Sequence, residues 1–581
     1  MNTIRFLYPY LRAHWKGYFW GLLLVPISTA TALSIPYFTG EAVKVLEGTS
    51  RAEGALATLI AAILVGSVIR GIALFAVRFL IIGASRKMEF DLRNDLFGHL
   101  QNLDQLFFKN ARTGDLMARI TSDVENARMV AGPVIMYTAN TFFMLAVAVP
   151  LMVSLSWTLT ICILIPLSLL TLAVRLIGPR VHEAIAASQE TLSELSSVAQ
   201  ENFAGARVVK SFAQEENEGR RFETVGRKFL GKNIEVARVS SWMHPIVGGV
   251  GDLSLISLLL VGGALILWGD LDLSGIVKFS GYQALLLWPM IALGWVVNQF
   301  QRGETSVRRL QELFSAEPKV KEPAAPSLPP SGEIEGRISI RHLTFSFGGT
   351  PVLDDVSIEV PQGTTVAIVG RTGSGKSTLL SLIPRVYPVP DGTIFIDDID
   401  VNRLPLALLR QSIGFVPQES FLFSRTVNEN IAFGVEGLDV DDISSAARVT
   451  RLDKDIDQLP RGYHELVGER GVTLSGGQKQ RAAMARALLV RPKILILDDA
   501  LSAVDTSTEE EILENLKEAT KELTTLIVSH RISSIRHADR IYVLDGGAVA
   551  EEGTHDELLL QDRLYAEMYR RQLISDELSQ M

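Results

Sequence analysis

Apolar positions run in long unbroken stretches through the N-terminal half of the chain and in short alternating ones through the C-terminal half. Six of the long stretches, near Tyr18–Gly40, Ala55–Ile82, Val130–Leu155, Leu159–Ile177, Pro245–Trp268 and Leu273–Val297, are long enough to cross a hydrocarbon core about 30 Å thick. Any one of them alone reads equally well as a buried helix of a soluble protein. Six in one half of a chain predict a membrane domain. Ahead of the first span, Ile4–Lys16 mixes Leu7, Tyr8, Tyr10, Leu11 and Trp15 with basic residues, the pattern of a helix lying along the inner membrane face. The long connections Ser85–Arg128 and Pro179–Met243 are helical in character, so the spans are expected to continue as rods beyond the bilayer. At their tips, Phe107–Lys109 with Thr113–Leu116, and Gly205–Phe212, read either as short transverse helices or as ordinary amphipathic loop.

After these spans the pattern changes. Ser315–Gly336 is rich in Pro, Ala and charge and reads as a surface linker. Beyond it, Ile338–Phe347 and Val356–Val360 alternate as strands do, and helices and strands then follow each other. The expected organisation is an α-helical six-span transmembrane domain over 1–314, a linker over 315–336, and an α/β P-loop nucleotide-binding domain over 337–581.

Composition agrees with a membrane half joined to a charged half. Apolar residues make up 47% of the 581, while 65 acidic residues outnumber 56 basic ones for a net charge of −9. An acidic balance gives no reason to expect nucleic acid. The single cysteine, Cys162, excludes disulfides within the chain and cysteine metal clusters. The first apolar segment is too long for a cleavable signal and has no small-residue cleavage site after it. Arg86, Lys87, Arg93, Arg180, Arg207 and Lys210 crowd the long connections, whereas the short turns near Trp157 and Gly269–Asp272 lack Lys and Arg. The positive-inside rule therefore places both termini and the C-terminal domain in the cytoplasm, on a multi-pass protein of the cell (inner) membrane. Among charges inside the spans, Arg78, Arg175 and Lys278 lie near the surfaces, where long side chains snorkel. Arg70 sits deeper and reads either as a cavity lining or as half of an inter-helix ion pair, with Asp252 its match by chemistry.

The chemistry centres on Gly370-Arg371-Thr372-Gly373-Ser374-Gly375-Lys376-Ser377, between the apolar run Thr365–Val369 and a helix-like run after Thr378. Strand, glycine loop and Lys-Ser at a helix start form a phosphate cradle. Glycine lets backbone N–H groups close on phosphate oxygens, Lys376 reaches the β- and γ-phosphates, and the Ser377 hydroxyl can bind Mg²⁺. Ile494–Asp498 is an apolar strand ending in a carboxylate suited to Mg²⁺, and Asp499 follows where a general base or water-positioning group belongs. Gln418 carries an amide able to ligate Mg²⁺ or orient water. His530, after the strand Thr525–Ser529, is placed to contact a γ-phosphate. Taken singly, Gln418 and His530 read more often as ordinary polar loop residues. Phe347 is placed either to stack on an adenine ring or to pack in the core. Leu474-Ser475-Gly476-Gly477-Gln478 opens another helix and offers glycine N–H groups and a hydroxyl at its positive end, a second phosphate-binding device.

Over nearly its whole length the chain resembles ABC exporter half-transporters of the six-span, type IV kind. The resemblance implies ATP and Mg²⁺ as ligands. It implies Walker A at Gly370–Ser377 with Thr378 beside it, the Q-loop at Gln418, the signature at Leu474–Gln478, and Walker B at Asp498. It further implies a D-loop at Ser502–Asp505, the switch histidine His530, the A-loop aromatic Phe347 where the family more often has Tyr, and an X-loop at Glu469–Gly471. In that family two nucleotide domains pair head to tail, each ATP lying between one domain's Walker motifs and the other's signature.

One position departs from the pattern. After the Walker B aspartate the family usually has Glu; here it is Asp499, one methylene shorter, with its oxygens drawn back by roughly 1 Å, a misplacement that can cost about 10²-fold in rate. This resembles the degenerate-site subunits of heterodimeric multidrug exporters of the MdlA, YheI/BmrC and TmrB kind. The resemblance implies a second, different half-transporter carrying the catalytic Glu, and a slow ATP site on this chain. The expected function is ATP-driven export of amphipathic or hydrophobic substrates (drugs, lipids or peptides), the alternatives being a homodimeric lipid flippase and an ATP-gated channel or non-transporting membrane regulator. Phe142, Phe143, Met144, Trp288, Met290 and Trp295 either line an adaptable substrate cavity or pack against neighbours and lipid.

Overall fold

The structure is a computed structural model that describes residues 2–48, 52–435, 437, 439–468, 474–519, 521–531 and 534–580. The chain divides into two units, Met1–Gln101 with Ala111–Ala316, and Asn102–Asn110 with Glu317–Met581.

The first unit is helical. After α1 (Asn2–Ala13) come α2 (Trp15–Glu47) and α3 (Ala52–Gln101), then the six-residue α4 (Gln105–Asn110), which counts with the second unit. Next come α5 (Thr113–Leu155, carrying two π-turns), α6 (Trp157–Ala204), the six-residue α7 (Ala206–Ser211), α8 (Glu215–Ser240), α9 (Met243–Trp268) and α10 (Leu273–Phe314). Among the described residues, five helical stretches are long and apolar enough to cross a membrane: Trp15–Glu47, Gly54–Gln101, Thr113–Leu155, Gly248–Trp268 and Leu273–Phe314. The expected fourth span lies in α6. Its described apolar part is Trp157–Pro166, and several side chains after it, Arg175 among them, fall outside the described residues.

Short turns join α5 to α6 and α9 to α10 because their caps are built in. The Ser156 side chain accepts from Leu159 N at 3.3 Å and opens α6, and Asp272 accepts from Gly275 N at 2.8 Å and opens α10. Small residues bring the helices together: a Cβ on Gly21 of α2 would meet Ile81 of α3 at 2.4 Å. The core between the spans contains Met152, Leu159, Ile163, Leu258, Phe279, Tyr282 and Leu286.

Two intramembrane charges depart from the sequence reading. Lys278 does not snorkel: it is 7% exposed and bonded through Nζ to Glu41 at 2.6 Å. Arg70 does not pair with Asp252. Among the described residues neither forms an ion pair, and Asp252 is exposed.

The second unit is α/β. Residues 315–336 carry neither strand nor helix. A four-stranded sheet has the order β2-β1-β4-β5, built from β1 (Ile338–Phe347), β2 (Thr350–Val360), β4 (Ile394–Ile396) and β5 (Ile399–Asp400). A six-stranded sheet has the order β10-β9-β3-β8-β7-β6, with β3 (Thr365–Gly370), β6 (Ile413–Val416), β7 (Ile494–Asp498), β8 (Thr524–Val528), β9 (Arg540–Asp545) and β10 (Ala548–Gly553). Every residue of β7 is buried, which explains its unbroken apolar run: a parallel strand covered on both faces has no solvent side to alternate with. The core holds Ile338, Ile358, Ile368, Leu379, Ile394 and Ile496 together.

Candidate nucleotide site

Parallel pairing brings the predicted chemistry to one sheet edge. β3 pairs with β8, β8 with β7, and β7 with β6, all parallel, so their C-terminal ends lie side by side. In open α/β sheets ligands bind beyond such ends. The glycine loop leaves β3, His530 follows β8 by one residue beyond Ser529, Asp498 ends β7, and Gln418 lies two residues past β6.

The loop needs its glycines at defined points. Gly373 and Gly375 have φ of +85° and +98°, and a Cβ on Gly370 would stand 2.1 Å from the Leu544 carbonyl. Lys376 begins the helix Lys376–Leu382 and donates from Nζ to the carbonyls of Gly370 and Arg371, both at 2.9 Å. Burial holds its ammonium below the ordinary lysine range, against the pull of Asp498 and Asp499. Ser377 donates from Oγ to Asp498 Oδ1 at 3.1 Å. The Asp498 carboxyl is pushed up, mainly by burial, while the Ser377 hydroxyl and the charges of Lys376 and His530 act in the opposite direction. Charged groups buried around a glycine loop at a cost to their ionised forms mark a functional site.

The Ser377–Asp498 pair is an all-oxygen donor set, which suits a hard cation such as Mg²⁺. Among the described residues no group of three or more His, Cys, Asp or Glu could hold a metal unaided. The remaining ligands of a cation here would be water and phosphate oxygens.

Asp499 is 8% exposed and has φ +50°, with its N–H donating to the Val528 carbonyl at 2.8 Å. His530 and Gln418 are exposed at the same edge, and Gln418 forms no hydrogen bond among the described residues. Phe347 packs edge-on against Phe345 and Tyr387, and Lys109 of α4 caps its ring.

The second device stands apart from the first. Ser475 caps the helix Gly476–Leu489: its hydroxyl accepts from Gln478 N, and Gln478 Oε1 accepts from Ser475 N at 2.9 Å. Gln478 is further held by Asp455 at 2.9 Å. Ser475 and Gly476 are exposed, while Gly477 is buried where a Cβ would meet the Ala503 carbonyl at 2.8 Å. No hydrogen bond joins this motif to the glycine loop among the described residues. Glu469–Gly471, the expected X-loop, lies outside the described residues.

Three supporting residues were not singled out from sequence. Gln480 donates to Ser502 Oγ at 2.9 Å and to the Asp499 carbonyl at 3.3 Å, and accepts from Ala503 N at 2.9 Å. It ties the segment after Asp499 to the signature helix. Its signal was available: a glutamine on the buried face of a helix otherwise rich in alanine. Glu509, 1% exposed, takes bonds from Arg531 and Ser534, and Arg531 also donates to the Val504 carbonyl at 3.0 Å. The residue after His530 is thereby anchored to Ser502–Asp505.

Comparison with known proteins agrees with this geometry. The family model described as ABC transporter transmembrane region matches residues 18–290, and the one described as ABC transporter matches residues 353–502. The chain is 36% identical to the probable multidrug resistance ABC transporter ATP-binding/permease protein YheI of Bacillus subtilis (strain 168), over 97% of this chain and 96% of that protein. It is 35% identical to the multidrug resistance-like ATP-binding protein MdlA of Escherichia coli (strain K12), over 97% and 95%. Among solved structures, a bacterial Atm1-family ABC exporter with ATP bound superposes with a TM-score of 0.79 at 28% identity, covering 97% of this chain and 99% of that one.

Proposed function

This chain belongs to the ABC transporter family as an exporter-type half-transporter, and from that premise we propose that it exports amphipathic or hydrophobic substrates as one subunit of a heterodimer whose own Walker motifs form the slower ATP site. ATP binding and hydrolysis are properties of the family. The observation that carries the reading of the site is the joining of Lys376, Ser377 and Asp498 at the edge from which Asp499 and His530 also emerge.

The glycine loop would take the phosphates on its backbone N–H groups, with Lys376 turning from the Gly370 and Arg371 carbonyls to the β- and γ-oxygens. Ser377, Asp498 and Gln418 would hold Mg²⁺, which when bound supplies neutralising charge to the phosphates. Phe347 would take the adenine. Ser475 to Gln478 would complete the partner's site, since the exposed Ser475 and Gly476 present a capped helix end outward. Asp499 and His530 would orient water and hold the developing charge, with Asp499 short of reach. Closing two sites pulls the nucleotide domains together and turns the membrane cavity outward, and product release resets it. We place the protein in the cell (inner) membrane with both termini and the nucleotide-binding domain cytoplasmic.

Uptake into inside-out vesicles tests this directly. ATP-dependent accumulation against a gradient identifies a pump, and passive equilibration gated by ATP identifies a channel. ATP turnover by the purified chain alone, at the full substrate-stimulated rate, would defeat the heterodimer.

A further inference from the structure

Within the transmembrane unit, α2, α3, α5 and α10 enclose a cavity of about 280 Å³. Met144 and Trp288 give it an apolar wall, and Met144 also packs with Met290 in the core between the spans. Arg70 and Arg78 line the same space. They lie eight residues apart on α3, about 12 Å along the axis. Among the described residues neither guanidinium has a carboxylate partner. Thr29 adds a further unspent polar group: it lines the cavity at 1% exposure, and its hydroxyl has no hydrogen-bond partner.

An unpaired cation at membrane depth is costly, and proteins pair such groups where they have no other use. This unit does so at Lys278, which is bonded to Glu41. Arg78 is exposed near the inner end of its span, where snorkelling explains it. Arg70 lies two turns deeper and half-buried, and snorkelling does not reach that far. Its planar fork of donors fits a carboxylate, sulfonate or phosphate in two parallel bonds.

We infer that this cavity binds an amphipathic anion, with its acidic group on Arg70 and its apolar body against Met144 and Trp288. The inference rests on the export reading and names the substrate class for it. A space of this size lies just below the usual range for small-molecule pockets, about 300–1,000 Å³, so it holds an acidic head and the start of a chain rather than a whole lipid. Cations of similar shape are disfavoured by the Arg70 guanidinium.

The test uses the full chain, purified with the half-transporter that accompanies it, in phosphatidylcholine nanodiscs. The probes are 11-(dansylamino)undecanoic acid and its primary amide, which share the same chain and differ only at the head group, a carboxylate against a neutral amide. The acid should bind at least about tenfold tighter than the amide, the scale of one charge-assisted contact. Arg70→Gln should abolish that preference while retaining amide binding, which shows that the variant is folded. Arg70→Lys should keep part of the preference, and it decides the matter if Arg70→Gln does not fold. Equal binding of acid and amide, or an acid affinity unmoved by Arg70→Gln, overturns the inference. Adding phosphatidylglycerol distinguishes two sources of the same chemistry: displacement of the acid assigns the site to an acidic membrane lipid, and no displacement assigns it to a smaller acid. Uptake separates the two readings. An acid that binds through Arg70 but is never accumulated with ATP defeats export and leaves the anion site standing. Accumulation of the amide alone defeats the anion site and leaves export standing.

Discussion

Lys109 holds its ammonium 3.8 Å above the centroid of the Phe347 ring. Phe345 and Tyr387 lie at steep angles to that ring, with centroids 5.0 and 5.1 Å away, so neither stacks flat on it. Lys109 belongs to the segment Asn102–Asn110, which carries α4 and which Asp104 fastens by accepting from the Lys319 N–H at 2.8 Å.

An adenine stacking on the face that Lys109 caps has to displace the ammonium. An exposed cation–π contact is worth about 0.5–1 kcal/mol, so Lys109→Ala should tighten binding of a fluorescent ATP analogue about two- to fivefold. Phe347→Ala should weaken binding, and in that background Lys109→Ala should do nothing more. Weaker binding in the single Lys109→Ala variant would instead put the base on the opposite face, with Lys109 as its support.

Asp499 sits in the left-handed region at φ +50°, a conformation aspartate tolerates better than most residues. Lengthening it by one methylene returns the carboxylate about 1 Å toward the position the family uses, at a backbone cost of roughly 1–2 kcal/mol. The gain in reach is the larger effect, because a misplacement of that size can cost about 10²-fold. Asp499→Glu should therefore raise single-turnover hydrolysis at this site about tenfold or more. No gain from Asp499→Glu, combined with abolition by Asp499→Asn, would mean that the native carboxylate is already fully competent and the two sites are equal.

The local elements of the nucleotide domain were legible in the sequence because each is carried by contiguous residues: an apolar strand, three glycines and Lys-Ser in Gly370–Ser377, a capped helix at Ser475. The pairings between distant segments were not. Nothing near Phe347 announces Lys109, and Lys278 lies 237 residues from Glu41, so its charge reads as a lone one near a membrane surface. Gln480 and Glu509 matter for what they hold in place, and such roles become visible only once the strands have brought their partners together. Arg70 was ambiguous for the same reason: whether a charge in a span is paired or lines a cavity depends on which helix faces it.

The Asp498 carboxyl has its pKa raised by burial, so between the ordinary aspartate pKa and the folded value the folded chain binds more protons than the unfolded one. Stability contributed by this group therefore falls as pH rises through that window, and at neutral pH its ionised form is a net cost. Asp498→Asn should raise the thermal midpoint of the nucleotide domain at pH 7 without ATP, by an amount that shrinks as the pH is lowered toward the ordinary aspartate range. The same change should remove most of the added stability conferred by ATP with Mg²⁺. An unchanged ATP–Mg²⁺ shift in Asp498→Asn would take Asp498 out of the cation site.

The Lys278–Glu41 pair joins α10 to α2 at 2.6 Å, with Lys278 side-chain exposure of 9% and Glu41 of 31%. Its ammonium also stands 4.8 Å from the Tyr37 ring centroid, and a Cβ on Gly40 would meet Lys278 Cγ at 2.4 Å, so the lysine lies flat against α2. Breaking a buried pair by removing one partner costs about 3–5 kcal/mol because the other charge is stranded. Glu41 is partly solvated, so the cost here should be smaller, about 1–3 kcal/mol. Glu41→Gln, which strands the more buried charge, should then lower the yield of folded protein in detergent more than Lys278→Met does. The double variant Glu41→Gln with Lys278→Met should recover most of the loss, since it leaves no unpaired charge. Losses that simply add in the double variant would show that each residue acts through packing alone, and that the two charges do not hold the helices together.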